Sequence, residues 1–220
     1  TNKQTNANNT ISPHSHISPL FSNTVAGILV QVGGPSSPFI LLDCGENTYG
    51  QMCRFFGRDT ARNIIQNNLI AIAISHSHAD HHLGIAQMLH LKSTATTEES
   101  GKFPIHLISS ATVLNWARHY AAAARAPSIL APEVLKMVPI KEVCEVAQPD
   151  VAKFFARYGV TLRSVPVEHC YDAHGYIVVG KGWKISYSGD SRPLESFAVA
   201  ASNSTVLIHE ATLSDDMKAE

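Results

Sequence analysis

No apolar run in this 220-residue sequence is long enough to span a bilayer, and its first residues show neither a charged leader nor an apolar one. The expectation is a soluble, intracellular protein with no membrane association. A strong charge of either sign is also missing: seventeen Lys and Arg against eighteen Asp and Glu leave a formal net charge of −1. That excludes a bulk basic field, so nucleic-acid binding would need a local patch, a metal site or another chain segment. Cysteine is scarce. Cys44, Cys53, Cys144 and Cys170 form no C-x-x-C pair and no dense disulfide pattern, which fits reduced thiols inside a cell. What is present in quantity is apolar: hydrophobic residues make up 45% of the chain, enough for one domain with a sizeable core.

The most informative stretch is Ser75 to His82, which reads SHSHADHH. His76, His78, Asp80 and His81 form the spacing H-x-H-x-D-H, directly after the apolar run Leu69 to Ile74. Such a run reads as a fully buried strand. Ligands on the turn that follows it can converge on one point with a rigid support behind them. Neutral imidazoles and a carboxylate are ordinary ligands for zinc and its divalent neighbours. The competing reading is a solvated, His-rich surface turn.

Elsewhere the same pattern recurs. Val25 to Val32 and Pro38 to Asp43 read as two strands around a Gly33-Gly34-Pro35-Ser36-Ser37 turn, with Asp43 at the end of the second. Asp43 can hold a ligating histidine by its second ring nitrogen or cap the helix that follows, and both readings stand. Asn47 to Asn68 reads as mostly helical, Leu83 to Leu91 as a helix, and Lys92 to Lys102 as a polar loop. Phe103 to Ile108 is a short strand, and an alanine-rich helix follows from Ser109 to Pro127. The mixed stretch 133–159 ends in a helix from Pro149 to Tyr158, and Val160 to Val167 alternates as a strand. His169 comes straight after that strand, Asp190 after Lys184 to Gly189, and His209-Glu210 after Ser204 to Ile208. Three more polar strand ends suggest a single rim. His76, His78, Asp80, His81, His169 and Asp190 exceed what one tetrahedral zinc takes, whereas two ions sharing Asp190 would accommodate them. Thr1 to Ser18, nearly free of apolar residues, reads as a disordered lead-in, leaving 19–220 as the domain. His14 and His16 in that tail, and His90, His106 and His119 in isolated positions, read as surface or packing residues.

SHSHADHH, His169, the Gly-Asp of YSGDSRP and LLDCGE together resemble the metallo-β-lactamase superfamily. Within it, LLDCGENTYGQMCR, SHSHADHHLGI, EHCYDAHGY, YSGDSRP and LIHEATLSDD resemble the tRNase Z family, and most of all the catalytic carboxy-terminal half of its long form. The resemblance runs from about Thr24 to the end. It implies an α/β fold, a four-layer αββα sandwich with the site at one edge where strand ends meet. It also implies removal of the 3′ trailer from precursor tRNA, leaving a 3′-hydroxyl on the tRNA. His76, His78 and His169 would hold one Zn2+, Asp80 and His81 a second, and Asp190 would bridge them, with Mn2+ or Mg2+ as alternative ions. Asp80 would accept a proton from the attacking water, Glu210 would orient a catalytic histidine, and Asp43 and His209 would stand behind the ligands.

The sequence also departs from that family. Its first strand and Gly-Thr-Gly-Ser-like turn are replaced by Thr1 to Ser18, and Pro19 to Asn23 carries no Lys or Arg where the family reads the CCA end. Asn47 stands where glycine is common, and His174 where an aromatic is. The chain stops at Glu220, before the family's H-S-T segment and last histidine ligand. The expectation is therefore a domain truncated at both ends, working with an amino-terminal half that supplies a tRNA-binding arm, in a nucleus or mitochondrion. Two alternatives stay open: a superfamily hydrolase of a small ester or phosphodiester, and a non-catalytic tRNA-binding scaffold.

Overall fold

The short apolar runs of the sequence become two β-sheets in a computed structural model, which describes residues 17–19, 26–34, 37–95, 103–143 and 149–211. The first sheet contains β1 (Ile17–Pro19), β2 (Ile28–Gln31), β3 (Phe39–Leu42), β4 (Leu69–Ala73), β5 (Ile105–Ser109) and β6 (Leu135–Pro139), in that spatial order. β1 to β3 pair antiparallel, and β3 to β6 run parallel. The second sheet contains β7 (Thr161–Pro166), β8 (His174–Gly180), β9 (Trp183–Tyr187) and β10 (Val206–Ile208), ordered β10-β9-β8-β7. Here β7 to β9 are antiparallel and β10 lies parallel to β9.

The parallel strands need crossovers, and these are helical. α1 (Thr48–Phe56) and α2 (Arg58–Asn63), continued by a π-helical turn over Ile64–Asn68, join β3 to β4. The single turn α3 (Ala79–His82) and α4 (Ile85–Ser93) join β4 to β5, and α5 (Ala111–Ala123) leads from β5 toward β6. α6 (Pro149–Ala156) precedes β7, and α7 (Glu195–Ala200) links β9 to β10. The stretch 47–68, expected to be mostly helical, is divided at Gly57, which takes φ 82°, a left-handed conformation that ends one helix and starts the next.

β4 shows why its run is continuously apolar. Leu69, Ile72 and Ile74 pack toward α1, α2, α4 and α5, while Ile70, Ala71 and Ala73 face the second sheet. Both faces are buried, so no position along the strand is left for a polar side chain. A second layer of core lies between the sheets, where Tyr176, Val178, Ile185 and Tyr187 meet Ile40, Leu42 and Ile108. A third, smaller one seats Phe197 of α7 on Val167 and Ile177. Helices, sheet, sheet and helix give the αββα sandwich that the sequence led us to expect. α6 closes one flank of the inter-sheet core with Val151, Phe154 and Phe155.

Three features differ from the sequence expectation. Ile17 and Ser18, placed in a disordered lead-in, belong to β1 and pair with Val30 and Leu29; residues 1–16 of that lead-in lie outside the described residues. Lys92, placed in a loop, is buried in the last turn of α4, where its ammonium donates to the carbonyl of Gln66. β6 and β8 were not expected at all. Among the described residues no helix is long and apolar enough to cross a membrane.

Candidate metal centre

Five strands end on one rim. β3 delivers Asp43, β4 the SHSHADHH turn, β7 His169, β9 Asp190 and β10 Glu210. The two sheets are tied together just behind it. Tyr176 donates its hydroxyl to the carbonyl of Ile74 at 2.8 Å, and the N–H of His174 donates to the carbonyl of Ser75 at 2.9 Å.

Four side chains converge. One ligand atom each from His76, His78, His169 and Asp190 lie within 4.8 Å of one another. His76 Nε2 is 3.0 Å from His78 Nδ1, and His169 Nε2 is 3.1 Å from the same atom. Asp190 Oδ2 stands 3.9 Å from His76 Nε2 and 3.7 Å from His169 Nε2. Four ligands about 2.0 Å from a tetrahedral ion lie about 3.3 Å apart, so these separations bracket what zinc requires. Three imidazole nitrogens aimed at one point cannot satisfy one another as donors and acceptors. As a donor set with a carboxylate they fit a divalent cation. The resemblance assigned Asp190 to the bridge between two ions; here it also completes the first set.

Asp80 and His81 extend the cluster through Asp190. His81 Nε2 lies 3.4 Å from Asp190 Oδ1 and 3.7 Å from Asp80 Oδ2. Asp80 is exposed, as are His78 and His169, so the centre opens to solvent on that side while His76 and His81 are buried. His82, next in the tract, turns away: its Nδ1 faces the carbonyl of His78 at 2.8 Å and its ring packs edge-on against Trp116.

Behind the ligands sits Asp43, with no exposure at all. Its carboxylate accepts from Ser75 N–H at 2.6 Å, the Ser75 hydroxyl at 2.8 Å, His81 Nδ1 at 2.7 Å and the Tyr187 hydroxyl at 2.6 Å. Of the two roles open from sequence, it takes the first; no side chain caps α1. A carboxylate only accepts, so His81 must carry a proton on Nδ1, which leaves Nε2, 3.4 Å from Asp190 Oδ1, as the ring atom that faces the cluster. The Ser75 hydroxyl gives its one proton to Asp43 and can only accept from His76 Nδ1, 2.9 Å away. Asp43 thereby fixes two imidazoles, one directly and one through Ser75. That relay, and Tyr187, escaped the sequence reading.

The electrostatics follow from this packing. Burial and the neighbouring His81 hold His76 down to about 4. Burial also opposes charge on His81, but Asp190 and Asp43 outweigh it and push His81 up to about 10. The His81 hydrogen bond in turn holds the Asp190 carboxyl below its usual range. Burial and Asp43 push the Tyr187 phenol well above its ordinary value, keeping it a donor.

Asp172 forms a second buried brace that the sequence reading did not single out. It is buried and accepts from the Ser110 hydroxyl at 2.6 Å, the Ser77 hydroxyl at 3.2 Å and Cys170 Sγ at 3.2 Å. Those bonds join the metal turn, the His169 turn and the end of β5, and they outweigh burial to lower the Asp172 carboxyl. Glu210 accepts from the N–H of Ser191, and its own N–H donates to the Ser188 hydroxyl at 3.3 Å, bracing the segment that carries Asp190. His209 stands apart from the cluster: it is exposed, with Nδ1 on the Glu210 carbonyl at 2.8 Å and its ring 6.1 Å from Phe197.

A family profile described as a beta-lactamase superfamily domain matches residues 39–220. The chain belongs to the metallo-β-lactamase superfamily. Among curated superfamily relatives, "Zinc phosphodiesterase ELAC protein 2" of Rattus norvegicus is 33% identical over 212 residues, covering 92% of this chain and 25% of the relative. "Ribonuclease Z 1" of Schizosaccharomyces pombe is 35% identical over 182 residues, covering 81% of this chain and 22% of the relative. A crystal structure of a long-form RNase Z from yeast superposes with a TM-score of 0.76 at 24% identity, over 89% of this chain and 31% of that one, and shows the shared fold. The chain thus spans about a quarter of the length of the curated relatives it matches.

Proposed function

We propose that this chain is the catalytic part of a metal-dependent endoribonuclease that removes the 3′ trailer from precursor tRNA. The observation that carries the reading is the convergence of His76, His78, His169 and Asp190, on a superfamily domain about one-third identical to proteins named zinc phosphodiesterase and ribonuclease Z. Divalent ions held there would acidify a water molecule and draw off charge gathering on the phosphoryl oxygens.

The chain's own groups have distinct tasks in this reading. His76, His78, His169 and Asp190 would hold one zinc, and Asp80 and His81, which adjoin Asp190, would serve a second. Asp43 and Ser75 hold the Nδ1 atoms of His81 and His76 from behind, so that Nε2 of each ring is the atom left to meet an ion. Asp80, exposed at the mouth, takes the proton of the attacking water. Glu210 holds the Asp190 segment through Ser191, and in this reading it would also orient a further histidine. His209 stands apart from the cluster and is given no task in this reading. The substrate is a precursor tRNA. Near-neutral charge and a span of one quarter of the relatives favour a tRNA-gripping arm supplied by an amino-terminal half. Cys44, Cys53 and Cys170 are free thiols, in keeping with an intracellular site of action such as a nucleus or mitochondrion.

The test is incubation with a precursor tRNA bearing a 3′ trailer, with zinc or manganese, using the chain alone and extended at its carboxy terminus. The expected product is a tRNA cut after the discriminator nucleotide. Asp80→Ala should abolish the cut while tRNA binding persists. Turnover of a small phosphodiester with no cut in tRNA by either form would overturn the reading.

A further inference from the structure

On the flank closed by α6, well away from the rim, lies a recess of about 500 Å³ lined by His106, Lys136, Lys153, Phe154, Arg157 and Asp150. The register places it: His106 of β5 pairs with Ala71 on one side and Lys136 of β6 on the other. Ala71 precedes the first ligand by five residues, about 16 Å of extended strand. The recess is therefore a separate place on the molecule.

Its chemistry is unusual for this chain. Three cationic side chains and one carboxylate line it, although the whole molecule is balanced at −1. Lys136, Lys153 and Arg157 are exposed, and none is in an ion pair with a described carboxylate. Arg157 is anchored with its guanidinium 4.9 Å from the centre of the Phe154 ring. On the same ring His106 stacks at 3.6 Å. His106 is only 3% exposed, yet its Nδ1 has no hydrogen-bond partner among the described residues. A buried polar atom left without a partner is costly, and a native structure that keeps one calls for an explanation. Burial, with Lys136 and Arg157 nearby, outweighs the backbone of Pro104 and Ile70 beside the ring and holds the imidazole down to about 4, so it is neutral at pH 7.

We propose that this recess is a second anion site, separate from the metal centre, which holds a phosphate group through Lys136, Lys153 and Arg157 with His106 beneath. The sign of the cations selects an anion. Lysine and arginine donors around a concave, part-apolar floor suit phosphate, and a volume of this size admits a nucleotide unit. The phosphate belongs either to an RNA backbone or to a free nucleotide. The site does not depend on what the metal rim cleaves.

The test is NMR of the zinc-loaded chain with labelled histidine, following the His106 ring signals while inorganic phosphate is added. A saturable shift is expected, weakened at least tenfold in Lys136→Glu/Arg157→Glu and, independently, in Lys153→Glu. These are exposed positions, and the unchanged thermal midpoint of each variant is the control for folding. Adenosine 5′-monophosphate and mature tRNA then separate the sources. Displacement of phosphate by tRNA, with a salt dependence reduced by about two counterions in the double variant, identifies RNA. Tighter binding of the mononucleotide without displacement by tRNA identifies a free nucleotide. No saturable shift at His106, or a shift that survives charge reversal, overturns the proposal.

Discussion

Asp43 receives four hydrogen bonds from three residues while fully buried, and its carboxylate fixes the state of two histidines it does not resemble in position or sequence. Asp43→Ala would strip that orientation from His81 and Ser75 and leave the Tyr187 hydroxyl buried without its acceptor. We predict a 10–100-fold loss of zinc affinity, measured by competition with a chromogenic chelator. A loss of about 3–5 kcal/mol in stability, measured by urea unfolding, should accompany it. Unchanged zinc affinity would refute the relay. His106 makes a different residue-scale prediction. An unfolded-chain histidine titrates near 6.5, whereas His106 is held down to about 4 by burial, Lys136 and Arg157. Between those values the unfolded chain binds a proton that the folded chain resists. Stability is therefore complete above about pH 6.5 and falls progressively as pH drops to about 4, by up to about 3 kcal/mol. His106→Phe keeps the stack on Phe154 and should lose less stability than the parent between pH 7 and 4.5, with His76 common to both. Equal acid losses in the two proteins would contradict this.

At the scale of elements, the site depends on turns that follow strands rather than on the strands themselves. Gly189, between β9 and Asp190, takes φ 60°, and a Cβ there would sit 2.7 Å from Cβ of Ser75. Gly189→Ala should push Asp190 and Ser75 apart. The expected outcome is a lower thermal midpoint, by several degrees, and substoichiometric zinc in the purified protein. A variant with full zinc and an unchanged midpoint would show that the segment can shift without cost. The same scale explains what could be read from sequence. β4 was plain because both its faces are buried, so its run is unbroken, and the ligands follow it directly. β7, β9 and β10 were found by the same strand-then-ligand pattern. β8 was missed although Tyr176 to Val179 is apolar, because its run is four residues between glycines and carries no ligand. β6 was missed because it is a half-exposed edge strand ending in Pro139. The braces were hidden for another reason: Asp43 and Tyr187 are 144 residues apart, and Ser77 and Asp172 are 95 apart. Spacing along the chain carries no trace of such pairs.

Taken as a whole, the molecule is a layered support that keeps one edge free. Three layers of core hold helices, sheet, sheet and helix in place, and the strand ends that escape them share one rim. Near-neutral net charge leaves the binding of any polyanion to local features, and the metal rim and the cationic recess under α6 are two such features among the described residues. The sequence disclosed the first through its histidines. It gave no sign of the second, because Lys136, Lys153 and Arg157 become neighbours only when β6 and α6 flank His106.

The claim on which the rest stands is that the rim is a metal centre whose first ion is held by His76, His78, His169 and Asp190. Titration of zinc into the metal-free chain, followed by calorimetry and elemental analysis, tests it directly. At least one zinc per chain should bind tightly, with at least a hundredfold weakening in His78→Ala and in Asp190→Ala, and no change in His82→Ala beyond a loss of stability. Absence of tight binding, or the same affinity in His78→Ala and Asp190→Ala as in the parent, would contradict it.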